Sequence, residues 1–169
     1  MDRHDTRTVA LQPSLLDRLT DEEPRRQTEP SGSFLLGKAG LRAAVLRDLG
    51  WLMNATRLGA TAPLEAWPEV ERSVLNYGLP ALAGETASTL DFKGLERAIR
   101  QAILRFESRI LPETLEVDAV EQDHLPGGYN RVCLRISGRI WARPVPLEMV
   151  LRTELDLETG QVSLFALKP

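Results

Sequence analysis

Apolar residues follow two different periods along this chain, and the change between them falls at Pro112. Upstream the spacing is three-and-four, as in helices that bury one face. The first such stretch is Lys38–Asn54, with Leu41, Val45, Leu49, Leu52 and Met53 as its inward stripe. A loop over 54–63 leads to Trp67-Pro68, which restarts a helix with proline at its favoured first position. Val70, Val74 and Leu75 are expected to face inward there, and Gly78 in NYGLP to supply a left-handed cap. The central helix is predicted over residues 91–111, with Asp91 as N-cap and Leu95, Ala98, Ile99, Ala102, Ile103, Phe106 and Ile110 on one face. Its other face carries Glu96, Arg97, Arg100, Gln101 and Arg105, with Glu96 and Arg100 at a supportive spacing. Pro112 is expected to stop it. At its end lie Glu107, Ser108 and Arg109, an acid and a base that either cap the helix terminus or face a partner.

Downstream of Pro112 the period is two. Leu115, Val117 and Ala119 alternate with Glu116 and Asp118; Val132, Leu134, Ile136 and Ile140 alternate with Cys133, Arg135, Ser137 and Arg139. Leu151, Leu155 and Leu157 alternate in turn with Arg152, Glu154 and Asp156. A turn is expected at 125–130, and Glu158-Thr159-Gly160 reads as a hairpin connection into a last strand over 162–167. One face of such a sheet is apolar and the other charged, which suits antiparallel strands covered by helices on one side. The expectation is an α+β fold: N-terminal helices, then a small antiparallel β-sheet packed on the central helix. The last strand is terminal and has one sequence neighbour. Val162, Ser163, Leu164 and Phe165 are therefore the candidate for a free edge with unpaired backbone groups.

The N-terminal part differs. Residues 1–12 read as disordered, and residues 13–19 as a short amphipathic helix whose Leu15, Leu16 and Leu19 share a face. Residues 20–33 are polar, contain two prolines and show no periodicity, as in a flexible linker. The domain expectation is a tail over 1–33 carrying a tethered docking helix at 13–19, and one α+β domain over 34–169.

Composition narrows the function. A net charge of −3 lacks the basic footprint of a nucleic-acid binder. The single cysteine, Cys133, excludes an internal disulfide and fits a reducing compartment. The first twelve residues show no secretory signal, and no apolar run reaches the roughly 18–20 residues of a membrane span. A cytoplasmic protein without direct membrane insertion is expected. The two histidines, His4 and His124, offer no metal site and no nucleophile–base pairing, and no phosphate-binding glycine loop is present, Gly127-Gly128 belonging to a turn. Paired carboxylates are all that a glycosidase needs, and Glu65, Glu69, Glu71, Glu85 and Glu107 are acidic, but among 24 acids none stands out as a proton donor. Neither a cofactor nor catalysis is expected.

Four stretches together carry a resemblance: PSLLDRLTDEEP (13–24), SVLNYGLP (73–80), FESRI (106–110) and LRTELDLETGQV (151–162). In this order, over most of 13–165, they resemble the TssE family, small baseplate subunits of the type VI secretion system, similar to the wedge protein that initiates the sheath in contractile phage tails. That family's signature is Glu-Pro-Arg at the end of the central helix. Glu107 and Arg109 match it, and Ser108 stands in place of the proline, so the helix is expected to run on to Pro112. The resemblance implies a structural subunit that docks on the wedge subunits TssF and TssG, near TssK, and nucleates the TssB–TssC sheath. It implies partner-binding roles for Glu107, Ser108, Arg109, Leu15, Leu16 and Leu19, and a sheath-facing edge at Val162–Phe165. The baseplate would reach the inner-membrane complex through partners. The alternatives are a peptidoglycan hydrolase, after the family's historical lysozyme-like label, and a generic cytosolic adaptor.

Overall fold

The alternation beyond Pro112 closes into one antiparallel sheet in the order β1-β2-β3-β4: β1 (Glu116–Val120), β2 (Arg131–Ile140), β3 (Leu147–Asp156) and β4 (Val162–Ala166). The computed structural model describes residues 13–20, 24–25, 36–83, 90–120 and 130–167; the tail 1–12, most of the 20–33 linker, Glu85, His4, His124 and most of the 125–130 turn lie outside them. The helices are α1 (Leu15–Leu19), α2 (Lys38–Asn54), α3 (Pro68–Arg72) and α4 (Phe92–Phe106). The expected α+β architecture is the one observed. α2 packs on the β4 side of the sheet and α4 on the β1 side.

The core lies between these two helices and the even-numbered face of β2 with the odd-numbered face of β3. Leu49 and Leu52 from α2 and Ile103 from α4 meet Leu134, Ile136, Ile140 and Leu155 from the sheet. Each such side chain contributes roughly 1.5–3 kcal/mol on leaving water. Thr153 interrupts the apolar row, and its hydroxyl donates to the Leu134 carbonyl at 3.3 Å. Between β3 and β4 the turn is built by Asp156, whose Oδ1 accepts the N–H groups of Glu158 and Thr159, with Gly160 at φ +72°. Gly78 has φ +116°, but the need for glycine there is a close approach: a Cβ would lie 2.2 Å from the Ala55 carbonyl oxygen.

Several expectations are corrected. α4 ends at Phe106 and not before Pro112. The helix begun at Trp67-Pro68 lasts only to Arg72 and gives way to a 3₁₀ turn over Val74–Asn76, leaving Val74 and Leu75 exposed at 77% and 66%. The cause is polar stapling. Ser73 Oγ donates to the Val70 carbonyl and accepts the Leu75 N–H, while buried Asn76 accepts the Gly59 N–H and donates to the Glu71 carbonyl. Cys133 sits on the outer, charged face as its parity requires, yet it is buried, with the Arg152 guanidinium 3.8 Å from its sulfur.

Glu96 is likewise buried, and its partner is not Arg100. Its Oε1 accepts the Ala119 N–H at 2.8 Å and its Oε2 pairs with Lys93 at 2.8 Å, while Arg100 Nε donates to the Leu115 carbonyl. The Lys93 ammonium and the Ala119 amide hold the Glu96 carboxyl below its ordinary pKa. Glu96→Ala is therefore expected to lower stability by about 1.5–3 kcal/mol in chemical denaturation, the cost of losing a charge-assisted bond to a backbone donor. Lys93→Ala, which loses the solvent-exposed half of the pair, is expected to cost clearly less than Glu96→Ala in the same measurement.

Candidate functional site

Where α4 stops, Glu107 turns out of the helical region (φ −117°, ψ 81°) while its N–H still donates to the Ile103 carbonyl at 2.8 Å. Its carboxylate folds forward onto the next residue but one. Oε1 accepts the Arg109 backbone N–H at 3.0 Å and the Arg109 Nε at 2.8 Å, and Oε2 pairs with Nη2. A continuing helix would give the Arg109 N–H to the Arg105 carbonyl. Glu107 captures it first, so the helix ends here with Ser108 as it would with proline.

The same guanidinium reaches α2, where Nη2 donates to Asp48 Oδ2 at 2.5 Å. Beyond it the chain is stitched to the end of β2: the Trp141 N–H donates to the Arg109 carbonyl at 2.7 Å, the Leu111 N–H donates to the Arg139 carbonyl at 2.9 Å, and Ile110 bridges Ile140. The hydrogen bonds that Arg109 donates to the Glu107 carboxylate raise its pKa further above its already high value, against the opposing effect of burial. Tyr77 closes the site from the SVLNYGLP stretch. Its ring meets Phe106 edge-on at 5.1 Å, and burial pushes its phenol up, with the charges of Asp48 and Glu107 adding to the effect. Both Glu107 oxygens are engaged by Arg109, so this carboxylate works as a clamp.

Asp48 extends the clamp to the N-terminal helix. Its Oδ1 accepts from Arg47 Nε at 2.9 Å and Nη2 at 2.7 Å, and Arg47 Nη1 pairs with Asp17 of α1. Asp17 also closes a capping box with Ser14, and the Arg47 hydrogen bond holds its carboxyl below the ordinary value. Charges of alternating sign thus run Asp17, Arg47, Asp48, Arg109, Glu107. Because α1 is fastened by its polar side, its leucines point away: Leu15, Leu16 and Leu19 are 70%, 49% and 74% exposed. Trp51 lies under the Arg47 guanidinium, 4.9 Å from its ring centre, and is half-exposed.

A second surface is the edge of β4. The Asp156 N–H donates to the Gln161 carbonyl and the Leu167 N–H donates to the Val150 carbonyl, so the odd-numbered backbone groups of β4 face β3. Those of Val162, Leu164 and Ala166 therefore face outward. At Val162 they are taken by Asn54, whose Oδ1 accepts the N–H and whose Nδ2 donates to the carbonyl, both at 2.9 Å. At Leu164 and Ala166 the outward groups carry no partner among the described residues.

Of the residues singled out in the sequence, Glu107 is buried, Arg109 is half-buried and Ser108 is exposed. Ser163 and Phe165 are exposed on the outer sheet face, while Val162 and Leu164 turn half-buried side chains toward the helices. Sequence reasoning missed Arg47, Asp48, Trp51, Asn54 and Trp141. Arg47-Asp48 is an adjacent opposite-charge pair on a helix, and nothing local marks its long-range partners. Among the described residues, no group of three or more His, Cys, Asp or Glu is placed to hold a metal ion.

Removing one half of a buried pair leaves the other charge uncompensated. Arg109→Ala is expected to lower stability by about 3–5 kcal/mol in thermal or chemical denaturation, and Arg109→Lys to recover only part of it, because an ammonium cannot reproduce the fork that spans Glu107 and Asp48.

The family model for baseplate wedge protein gp25 matches residues 39–145, a span that contains almost all of α2, then α3, α4 with the clamp, β1 and β2. No curated protein and no solved structure matches the chain. The matched span exceeds half of the 169 residues and includes both Asp48 and the Glu107–Arg109 pair. The chain therefore belongs to the family of baseplate wedge protein gp25, a family of structural baseplate components whose type VI secretion homologue is TssE.

Proposed function

We propose that this chain is a non-enzymatic structural subunit of a type VI secretion baseplate, docking on TssF and TssG beside TssK and starting the TssB–TssC sheath. The observation that carries the docking half is the attitude of α1: a capped helix held to α2 through Asp17, with Leu15, Leu16 and Leu19 turned to solvent. Such a helix offers a ready apolar ridge to a groove on a partner. The clamp supports the same reading indirectly. It fixes the turn that exposes Ser108 and places half-exposed Trp141 beside it, an aromatic of the type that anchors interfaces. The sheath half is supported by the β4 edge, whose outward backbone groups at Leu164 and Ala166 have no partner among the described residues and suit an incoming strand. The protein would work on the cytoplasmic side and meet the membrane through its partners; no described helix is long and apolar enough to cross one.

Replacing Leu15, Leu16 and Leu19 together by serine is expected to leave the melting temperature of the domain unchanged. It should weaken co-purification with TssF and TssG by at least about tenfold, since each buried leucine contributes ~1.5–3 kcal/mol and 1.4 kcal/mol is a factor of ten. Equal recovery of the triple variant and the parent would show that α1 is not the docking element.

The edge has its own test, because the two parities of β4 do different jobs. Ser163→Pro deletes a donor turned toward β3 and is expected to destabilise the fold. Ala166→Pro removes an outward donor from an exposed position and should leave a folded protein that joins the baseplate but does not seed sheath polymerisation. Normal seeding by Ala166→Pro would place the sheath contact elsewhere.

A further inference from the structure

We propose that Asn54 is a stop that sets how far a strand added to β4 can run, and that the groove beside the remaining edge takes an aliphatic side chain of that strand. The inference rests on the reading of β4 as the sheath-facing edge and specifies what that edge accepts. The side chain of Asn54 imitates a neighbouring strand. It gives and receives one hydrogen bond with Val162, both at 2.9 Å, as a paired residue would. Its Nδ2 also donates to the Gly50 carbonyl at 2.8 Å, which anchors the amide to the last turn of α2. An incoming chain cannot pair with Val162 without evicting this amide. Pairing is left to Leu164 and Ala166, whose outward groups have no partner among the described residues.

The groove follows from how α2 crosses the sheet. The helix end at Asn54 touches β4 at Val162. Toward the helix start, a space of about 410 Å³ opens between α2 and the paired ends of β3 and β4. Its walls include Ala43, Leu46, Met149, Leu151 and Ala166. Ala166 is registered opposite Leu151, which is buried under the helices, so the side chain of Ala166 is on the helix side. A residue paired with Ala166 from outside projects its side chain to the same side, into this space. The occupant is therefore an extended segment of a sheath subunit, with an aliphatic residue in register with Ala166 and alternate residues facing solvent. On the opposite edge of the sheet, the Ala119 N–H of β1 already donates to the Glu96 carboxylate.

The test uses the full chain with the TssB–TssC subunits and a photo-crosslinking benzoylphenylalanine placed at Phe165 or at Gln161, both exposed. In the parent protein, Phe165 should cross-link to the sheath strand and Gln161 should not, because the strand ends before Val162. With Asn54→Ala, Gln161 should cross-link as well. Ala43→Trp, which fills the groove from an exposed helix position, should reduce sheath binding at least tenfold with an unchanged melting temperature and unchanged TssF–TssG co-purification. A Gln161 cross-link in the parent, a silent Gln161 in Asn54→Ala beside a retained Phe165 cross-link, or full sheath binding by Ala43→Trp overturns the proposal while leaving the β4 edge in place. Slow hydrogen exchange at both the Leu164 and Ala166 amides in the free protein would mean that this chain or a second copy already covers the edge, and also overturns it. Normal sheath assembly with no cross-link at Phe165 removes the underlying reading as well.

Discussion

Arg109 fixes the relation between three segments that are distant in the chain. Its guanidinium holds the carboxylate at the end of α4 and a carboxylate in the middle of α2, and its backbone carbonyl accepts the N–H of Trp141, the residue that follows β2. Buried ion pairs are poor sources of net stability, because desolvation offsets most of their attraction. What this pair supplies is definition. It decides where α4 stops, and with that it decides the angle at which the chain enters the sheet. Apolar packing alone tolerates a helix one turn longer, since Ile110 continues the stripe of Ile99, Ile103 and Phe106. The Glu107 carboxylate removes that option by taking the amide hydrogen that the next turn would need.

The sheet manages its two edges by related means. On β1, Glu96 reaches from α4 and accepts an outward amide; on β4, Asn54 reaches from α2 and both donates and accepts. A carboxylate satisfies a donor only, whereas an amide satisfies a donor and an acceptor together. Each helix thus covers the core and also guards part of a strand edge, a common liability of open sheets. Among the described residues the guarding on β4 stops short of Leu164 and Ala166, and β4 is also the strand over which the helix layer opens into a groove.

Much of this was legible in the sequence, for reasons of scale. The stripes of α2 and α4 and the parity of β1 to β4 are each written within one element of 5 to 17 residues, and burial of one face makes such repeats necessary. At Val74 and Leu75 a five-residue periodicity competes poorly with two polar side chains: Ser73, which takes the Leu75 N–H, and Asn76, whose partner Gly59 lies in another turn. The position of Glu96 in the helical repeat points to the solvent face; the amide it serves is in β1 and leaves no mark near residue 96. The importance of Glu107 and Arg109 could be suspected from their position at a helix end. Their partner Asp48 is 61 residues away, one acid among 24, with no local feature to single it out.

If α1 docks on a partner as proposed, its capping bears on the rate and cost of that association. A five-residue helix is a minor population in an untethered peptide, and a partner that binds it from the coil must order it at the moment of contact. Here Ser14, Asp17 and Arg47 have ordered it beforehand, so more of the interaction free energy is left for affinity. The fastening is an ion pair in partial contact with water, with Arg47 37% exposed, and salt screens it far more than it screens the buried clamp. Ionic strength would then act on how readily the molecule is recognised while leaving its fold untouched.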